Sequence, residues 1–379
     1  MSYTLPKQAT NMSTSSETRE AIKQSLCEYT RKEGDPSMRT ISIQLKNYGF
    51  SLRLYIPDFG VTEIPVQGQP SETNPGILEV LDSHLEFRHS TPSENSRDEA
   101  SILQQSINEA RTIALFFPDI RATNIRICMA AWLGTLCSVD DLIEDMMPDE
   151  ASVALHHSIQ ALREEGCFTS PQHTVVEYFN AFKRHCLKYL STEVARRFFN
   201  SVCITLEGLL DEIHFSQGRL PYSLETYMSI RGRTIGIKPF FTLIRSVLDT
   251  EDYQWSTEIM DMESDVFAVI GLQNDLVGLE KDIQTKQQMN AVIVNAVHIT
   301  NKIICAGKDA ALQVATDNIS GLHNQLMERA VERHATIQQR AIGRLEHEPE
   351  ASFADIQLLF TETHSKWCTS AKRYKLHTI

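Results

Sequence analysis

The sequence predicts an all-α protein that folds as a single α-helical bundle with a central apolar cavity. From about Ser101 onward, apolar residues recur with helical spacing and proline is sparse. The chain has 379 residues and is 42% hydrophobic, which is enough to bury a large core. On two of the helices, polar residues follow apolar residues on the same face, so a polar rim should lie above an apolar interior.

Ten helices are expected after the first hundred residues. Their predicted ranges are 101–115, 121–146, 151–164, 172–189, 192–214, 222–247, 255–284, 288–307, 309–346 and 350–374. The sixth should break near residues 232–239, because Gly232, Gly236 and Pro239 all disfavour a helix interior.

The first hundred residues are expected to form an N-terminal arm (1–100) ahead of the helical domain (101–379). Residues 1 to about 20 are polar and short of large apolar groups, which favours disorder. Between Ile41 and Val66 apolar residues alternate with polar ones, which indicates short extended pieces in a region rich in loops. Such an arm either packs over the core as a simple extension or acts as a lid over the active site.

Bulk composition excludes several classes of partner. The formal net charge of −13 and the pI of about 5.5 argue against a nucleic-acid surface. Eight cysteines occur without a CxxC pair, which favours reduced thiols. The sequence opens without a secretory pattern, and its uncharged apolar stretches are shorter than the ~20 residues of a membrane span. We therefore expect a soluble cytoplasmic protein without a membrane span; whether it forms a homodimer stays open.

Two polar segments predict a metal site. Asn274, Gly278 and Asp282 are spaced four residues apart and share one face of a helix, whereas Asp140 and Glu144 form a similar line on another helix. Amide and carboxylate oxygens suit Mg²⁺, which keeps several waters and shares phosphate oxygens. The acidic segment alone would read as a solvated helix end. Together the two segments predict a site for a Mg-diphosphate.

Apolar residues precede both segments on the same helix faces. They are Leu133, Leu136 and Cys137 on the first helix, and Phe267, Ile270 and Gly271 on the second. A solvated helix face would instead stay polar along its length. The pattern therefore suits a ligand with an ion-paired head group and a hydrocarbon chain.

The two segments resemble the metal motifs of the microbial class I terpene synthases. Residues 140–144 match the family's DDxx(D/E) motif, with Asp141 as its second acid. Residues 274–282 match the family's NDxx(S/T)xxxE motif at its first two positions, but carry Gly278 in place of Ser or Thr and end in Asp282 in place of Glu. A water could replace the ligand oxygen that Gly278 lacks, so the metal chemistry stays plausible.

The resemblance also implies residues that contact a diphosphate. The family carries a diphosphate-sensing arginine at a helix break, and Arg231 lies 43 residues before Asn274, with Arg233 as the second choice. Without the resemblance, these arginines would read as solvent-facing residues at a plain kink. The family also commonly closes with an Arg-Tyr pair, which Arg373 and Tyr374 match and which would donate hydrogen bonds to phosphate oxygens.

By this resemblance the protein is expected to ionise a prenyl diphosphate with three Mg²⁺ ions. Metal ligation is assigned to the two motifs, and Arg231, Lys281, Arg373 and Tyr374 would neutralise the departing diphosphate. Substrate contacts are assigned to Arg231, Arg233, Phe267, Ile270, Gly271, Lys281, Arg373 and Tyr374. Farnesyl diphosphate, giving a sesquiterpene, is the favoured substrate. A diterpene synthase acting on geranylgeranyl diphosphate, a chain-elongating prenyltransferase and a non-catalytic helical binding protein are the alternatives.

Aromatic side chains could stabilise a carbocation through their ring faces. Phe267 is the best candidate by its helix face, and the weaker candidates are Phe116, Phe117, Trp132, Phe240 and Phe241. Each of them has an alternative interpretation as an ordinary core residue. The sequence assigns no general base, although the diphosphate itself could serve.

Overall fold

The computed structural model describes residues 26–65 apart from 33 and 35, and residues 76–92, 98–164, 173–248, 253–302 and 308–370. Within these ranges the chain forms twelve α-helices and four short strands, which confirms the predicted all-α class. The helices are α1 Gly76–His89, α2 Glu99–Phe116, α3 Thr123–Glu144, α4 Pro148–Arg163, α5 Thr174–Cys186, α6 Thr192–Ser216, α7 Leu224–Thr234, α8 Lys238–Leu248, α9 Thr257–Gln284, α10 Ala291–Lys302, α11 Lys308–Ala341 and α12 Glu348–Ser370. A short 3₁₀ turn, Leu345–His347, precedes α12.

Helix α1 was not predicted and belongs to the bundle. It lies inside the expected arm, yet it packs against α2 and α3. Val80 and Phe87 on its inner face are completely buried. The helical packing therefore begins at Gly76, ahead of the boundary that the sequence suggested near residue 100.

Helices α3 and α9 form the centre of the bundle. In α3 every residue from Ile125 to Leu133 is buried, including the charged Arg126, so this stretch of the helix has no solvent-facing side. It packs against α1, α2, α5 and α8. Helix α9 packs against α7, α10, α11 and α12. The two segments with the predicted metal ligands thus lie at the C-terminal ends of the two central helices.

The predicted helix break is confirmed between α7 and α8. Gly236 has φ +72°, a left-handed conformation that favours glycine. A Cβ at Gly236 would lie 2.5 Å from Leu136 Cδ2, so the loop approaches α3 closely. The indole N–H of Trp132 donates to the Gly236 carbonyl at 2.8 Å, which holds the loop against that helix.

The arm contains two antiparallel strand pairs. Strand β1 (Cys27–Thr30) pairs with β4 (Thr62–Pro65), and β2 (Ser37–Leu45) pairs with β3 (Phe50–Asp58). On β3, Leu52, Leu54 and Ile56 are buried, while the residues between them face outward. This alternation confirms the predicted extended pieces.

Strand β3 packs against α11 and α12, and β1 packs against α2. The Asn324 side chain accepts from Tyr55 N at 2.9 Å and donates to Arg53 O at 3.1 Å, along the open edge of β3. The buried Glu362 carboxylate on α12 accepts from Phe59 N at 2.8 Å and forms an ion pair with Lys366 at 2.6 Å. Helix α11 and the middle of α12 are therefore connected to the arm by polar contacts.

None of the helices in the described part of the chain is long and apolar enough to cross a membrane.

Two glycines of the α7–α8 region should respond oppositely to alanine. Gly236→Ala forces a left-handed φ on a residue with a Cβ and crowds Leu136, so it should lower the free energy of unfolding by about 1–3 kcal/mol. Gly232→Ala lies in a helix with open space at its Cβ, so it should raise that free energy by about 0.5–1 kcal/mol. Urea unfolding followed by circular dichroism measures both. Equal changes in unfolding free energy for the two variants would contradict the conclusion that the Gly236 loop requires a glycine.

Candidate active site

The two predicted metal segments face each other across one cleft. Asp140 and Glu144 of α3 line a cavity of about 310 Å³ together with Asn274, Lys281 and Asp282 of α9. These residues are far apart in the sequence, so their meeting is a property of the tertiary fold. The spatial relation that the sequence predicted is present, and the role of each residue as a metal ligand stays a prediction.

An apolar chamber of about 100 Å³ adjoins this cleft. Asp140, Arg231 and Asn274 line both spaces, so they form the rim between them. The remaining wall of the chamber is formed by Phe116, Leu133, Leu136, Cys137, Thr234, Ile235, Ile237, Phe240, Ile270, Phe360, His364 and Trp367. The apolar residues predicted beneath the rim are thus found there, apart from Phe267 and Gly271.

Arg231 is held at the rim by the buried side chain of Asp275. The Asp275 carboxylate is 1% exposed and lies 2.9 Å from the Arg231 guanidinium. It also accepts from the Tyr227 hydroxyl at 2.6 Å and from Ala291 N at 3.0 Å. A buried carboxylate is tolerated only when it is paired and hydrogen-bonded. Asp275 therefore fixes where Arg231 projects.

The structure separates the two candidate arginines. Gly271 allows the Arg231 side chain to lie against α9, because a Cβ there would be 3.0 Å from Arg231 Cγ. Gly271 thus makes room for Arg231 and does not itself line the chamber. The Arg233 guanidinium instead donates to Asp211 on α6 at 2.7 Å. Of the two, Arg231 is the one that reaches the cleft.

Asp282 is oriented by the loop that follows α9. The side-chain amide of Asn290 donates to Asp282 Oδ2 at 2.9 Å and to the Asp275 carbonyl at 2.7 Å. Burial raises the pKa of the Asp282 carboxyl, an effect that the Asn290 hydrogen bond opposes. Gly278 is buried within α9 and is not among the residues that line the cleft.

Several predicted residues lie elsewhere. Asp141 does not line the cleft but a neighbouring pocket with Glu109, which shares Trp367 with the chamber, because adjacent helix residues project in different directions. Phe267 packs on Phe241, with ring centroids 5.6 Å apart, and neither ring lines the chamber.

Of the weaker aromatic candidates, Phe116 and Phe240 line the chamber. Phe117 stacks on Phe360 at 5.0 Å behind the wall, and Trp132 is buried against the loop at Gly236. The predictions for Arg373 and Tyr374 lie outside the described residues.

The donor set fits Mg²⁺ better than a metal that needs a complete protein cage. Among the described residues, no group of three or more His, Cys, Asp and Glu side chains could hold a metal ion by itself. Mg²⁺ is usually bound by one or two carboxylates, together with waters and phosphate oxygens of a substrate. Asp140 and Glu144 on one side and Asn274 and Asp282 on the other supply such oxygens.

Glu212, which lines the cleft from α6, was not predicted from the sequence. Its carboxylate accepts from the Thr234 hydroxyl at 2.6 Å. Burial raises the pKa of Glu212 to about 7, against the opposing charge of Arg231 and the Thr234 hydrogen bond. An isolated acid on an amphipathic helix belongs to no motif, so only the tertiary structure identifies it.

The raised pKa of Glu212 predicts a pH-dependent stability. The folded protein keeps a proton that the unfolded chain releases near pH 4 to 5, so the free energy of unfolding should fall as pH rises from about 4.5 to 7. Glu212→Gln should remove this loss and raise the unfolding free energy above pH 7 by an amount on the order of 3 kcal/mol. Urea unfolding in a chelator across this pH range measures it. Glu207→Gln, on the exposed face of the same helix, is the control, and an identical pH profile for both variants would contradict the assignment.

Comparisons with known proteins agree with this geometry. Residues 131–329, just over half of the chain, match the family described as Terpene synthase family 2, C-terminal metal binding. The structure of linalool/nerolidol synthase from Streptomyces clavuligerus in complex with 2-fluorogeranyl diphosphate aligns with a TM-score of 0.60 at 17% identity, over 78% of this chain and 99% of that one.

Two further solved structures are similar to the chain. A single-residue variant of cucumene synthase aligns with a TM-score of 0.56 at 14% identity, over 80% of this chain and 97% of that one. Hedycaryol synthase in complex with HEPES aligns with a TM-score of 0.56 at 15% identity, over 78% and 94%. These likenesses establish the fold. No curated protein sequence matches the chain.

Proposed function

The chain belongs to terpene synthase family 2, and on that basis we propose that it is a Mg²⁺-dependent class I cyclase that converts farnesyl diphosphate into a sesquiterpene and diphosphate. The observation that carries the proposal is the cleft in which Asp140 and Asn274 meet at the mouth of an apolar chamber. The matched linalool/nerolidol synthase structure contains 2-fluorogeranyl diphosphate, which supports a prenyl diphosphate as the substrate class.

The polar cleft would receive the diphosphate. Asp140 and Glu144 would hold Mg²⁺ from one side, and Asn274 and Asp282 from the other, with three ions in all. When bound, these ions would neutralise the negative charge that grows on the leaving group. Arg231 and Lys281 would contribute positive charge at the same place, and Arg231 is already oriented by Asp275. We propose that Arg373 and Tyr374 also donate to the diphosphate.

The apolar chamber would hold the hydrocarbon chain. Among the described residues of its wall, the side chains with a nucleophilic atom are the Cys137 thiol, the Thr234 hydroxyl and the His364 imidazole. Because most of this wall is apolar, it would fold the hydrocarbon chain of the cation formed by ionisation and shield that cation from water. The faces of Phe116 and Phe240 are the aromatic surfaces best placed to stabilise it, in preference to Phe267.

Incubation of the purified protein with farnesyl diphosphate, with and without Mg²⁺, tests the proposal. We expect diphosphate release and a volatile sesquiterpene on gas chromatography only when Mg²⁺ is present. Turnover of geranylgeranyl diphosphate alone would identify a diterpene synthase, and a longer diphosphate product would identify a prenyltransferase. An absence of any reaction would favour a helical binding protein.

Asn274→Ala should abolish turnover and keep the helical circular dichroism.

The two adjacent aspartates of α3 should differ in importance. Asp140→Asn removes a carboxylate from the rim of the cleft, so it should lower kcat/KM for the prenyl diphosphate by at least about 100-fold. Asp141→Asn alters a different pocket and should have a much smaller effect. Steady-state diphosphate release at several Mg²⁺ concentrations measures both variants. Equal losses would show that Asp141 turns into the cleft when substrate binds.

A further inference from the structure

We propose that Nε2 of His364 is the general base that removes the final proton from the carbocation. This inference deepens the proposed function and rests on it, since it assigns the base that the reaction needs in its last step. It follows from the position of the imidazole ring, from the hydrogen bonds that fix its tautomer, and from the chemistry of the surrounding wall.

The His364 ring forms part of the chamber wall. It is 4% exposed and is surrounded by three other aromatic side chains of the wall. Its centroid lies 6.0 Å from that of Phe116, 5.8 Å from that of Phe360 and 5.8 Å from that of Trp367. A hydrocarbon in the chamber would therefore lie against this ring.

The hydrogen bonds of Gln273 determine which nitrogen of His364 carries the proton. The Gln273 amide nitrogen donates to the Thr361 carbonyl at 3.2 Å, and a carbonyl can only accept. The Gln273 amide oxygen is therefore the atom that lies 2.9 Å from His364 Nδ1. Because this oxygen can also only accept, Nδ1 must donate a proton to it. The lone pair of the neutral ring is consequently on Nε2.

The neighbouring thiol does not occupy this lone pair. Cys368 Sγ lies 3.6 Å from Nδ1 and 3.5 Å from Nε2 of His364. A sulfur atom nearly equidistant from both nitrogens at this separation lies over the face of the ring, because in the ring plane it would collide with the carbon between them. The lone pair of Nε2 lies in the ring plane, so it stays available to a substrate.

His364 is uncharged at every working pH. Burial, together with the positive charge of Arg231, lowers the pKa of His364 to about 3. A base that never carries a proton before the reaction is always ready to accept one. The C–H bond next to a carbocation is acidic enough to protonate even such a weak base, so the low pKa does not prevent the transfer.

The proposed step conserves atoms and charge. A C–H bond adjacent to the cationic carbon breaks, and its electron pair becomes the π bond of the product alkene. The proton passes to Nε2, which gives a neutral hydrocarbon and an imidazolium. The imidazolium then returns the proton to the diphosphate released in the first step, or to water as the product leaves.

Other side chains of the chamber are poorer bases. Arg231 is a permanent cation, and the amide of Asn274 has no basic nitrogen. Asp140 lies at the rim, where a metal ion would occupy its oxygens. Among the described residues of the wall, His364 is thus the side chain that offers a neutral nitrogen lone pair to a hydrocarbon. The released diphosphate is the remaining competitor.

The test variant is His364→Asn, whose amide N–H can replace Nδ1–H in the bond to Gln273 but which has no basic nitrogen. Diphosphate release and the product profile are measured in the same reaction with farnesyl diphosphate. We expect diphosphate release to continue, while the fraction of hydrocarbon formed by proton loss falls at least about tenfold in favour of alcohols formed by water capture. The control is His156→Asn, at an exposed histidine that lines neither the cleft nor the chamber, and it should leave the hydrocarbon fraction unchanged.

A second variant distinguishes the loss of the basic nitrogen from a change in the shape of the chamber. His364→Ala leaves space for an imidazole molecule, so added imidazole should restore the hydrocarbon fraction in this variant and not in His364→Asn. An unchanged hydrocarbon fraction in His364→Asn would overturn the proposal and leave the diphosphate as the base. Failure of the native protein to release diphosphate from any prenyl diphosphate would instead overturn the proposed function, so the two failures are distinguishable.

Discussion

The buried Asp275 carboxylate is the constraint on which the arrangement of the cleft depends. It accepts hydrogen bonds from α7 through Tyr227, forms an ion pair with Arg231 of the same helix, and receives the first amide of α10. Removing one partner would leave a buried charge short of donors, which costs several kcal/mol. Asp275 of α9, which does not itself line the cleft, therefore holds α7 with Arg231 and the start of α10 against the helix that carries Asn274 and Asp282.

The sequence predicted what depends on local geometry. Helical periodicity located most helices of the bundle. The spacing of four residues between successive polar positions in 274–282 placed Asn274 and Asp282 on one helix face. It missed α1 because the surrounding prolines, glycines and polar residues obscured a short helix. It also grouped Asp141 with Asp140, although the rotation between adjacent helix residues directs them into different pockets.

Tertiary packing determined which of the predicted side chains line the chamber and which buried groups have shifted pKa values. Phe267 shares a helix with the chamber residue Ile270, yet Phe241 covers its ring. Glu212 and His364 belong to no motif, and their chemistry arises from burial beside charges contributed by distant parts of the chain. Sequence spacing carries no information on such surroundings, because they depend on which helix packs against which.

The contact between the arm and α12 supports one wall of the chamber from behind, because α12 contributes Phe360, His364 and Trp367 to that wall. Glu362 has no exposed surface, and its carboxylate is partnered by Phe59 N and Arg39 of the arm and by Lys366 of its own helix. Phe360 and His364 lie on the same helix within about half a turn to either side of it. Removal of the arm would therefore expose the Glu362 carboxylate to water in the middle of α12 and loosen the wall that Phe360 and His364 form.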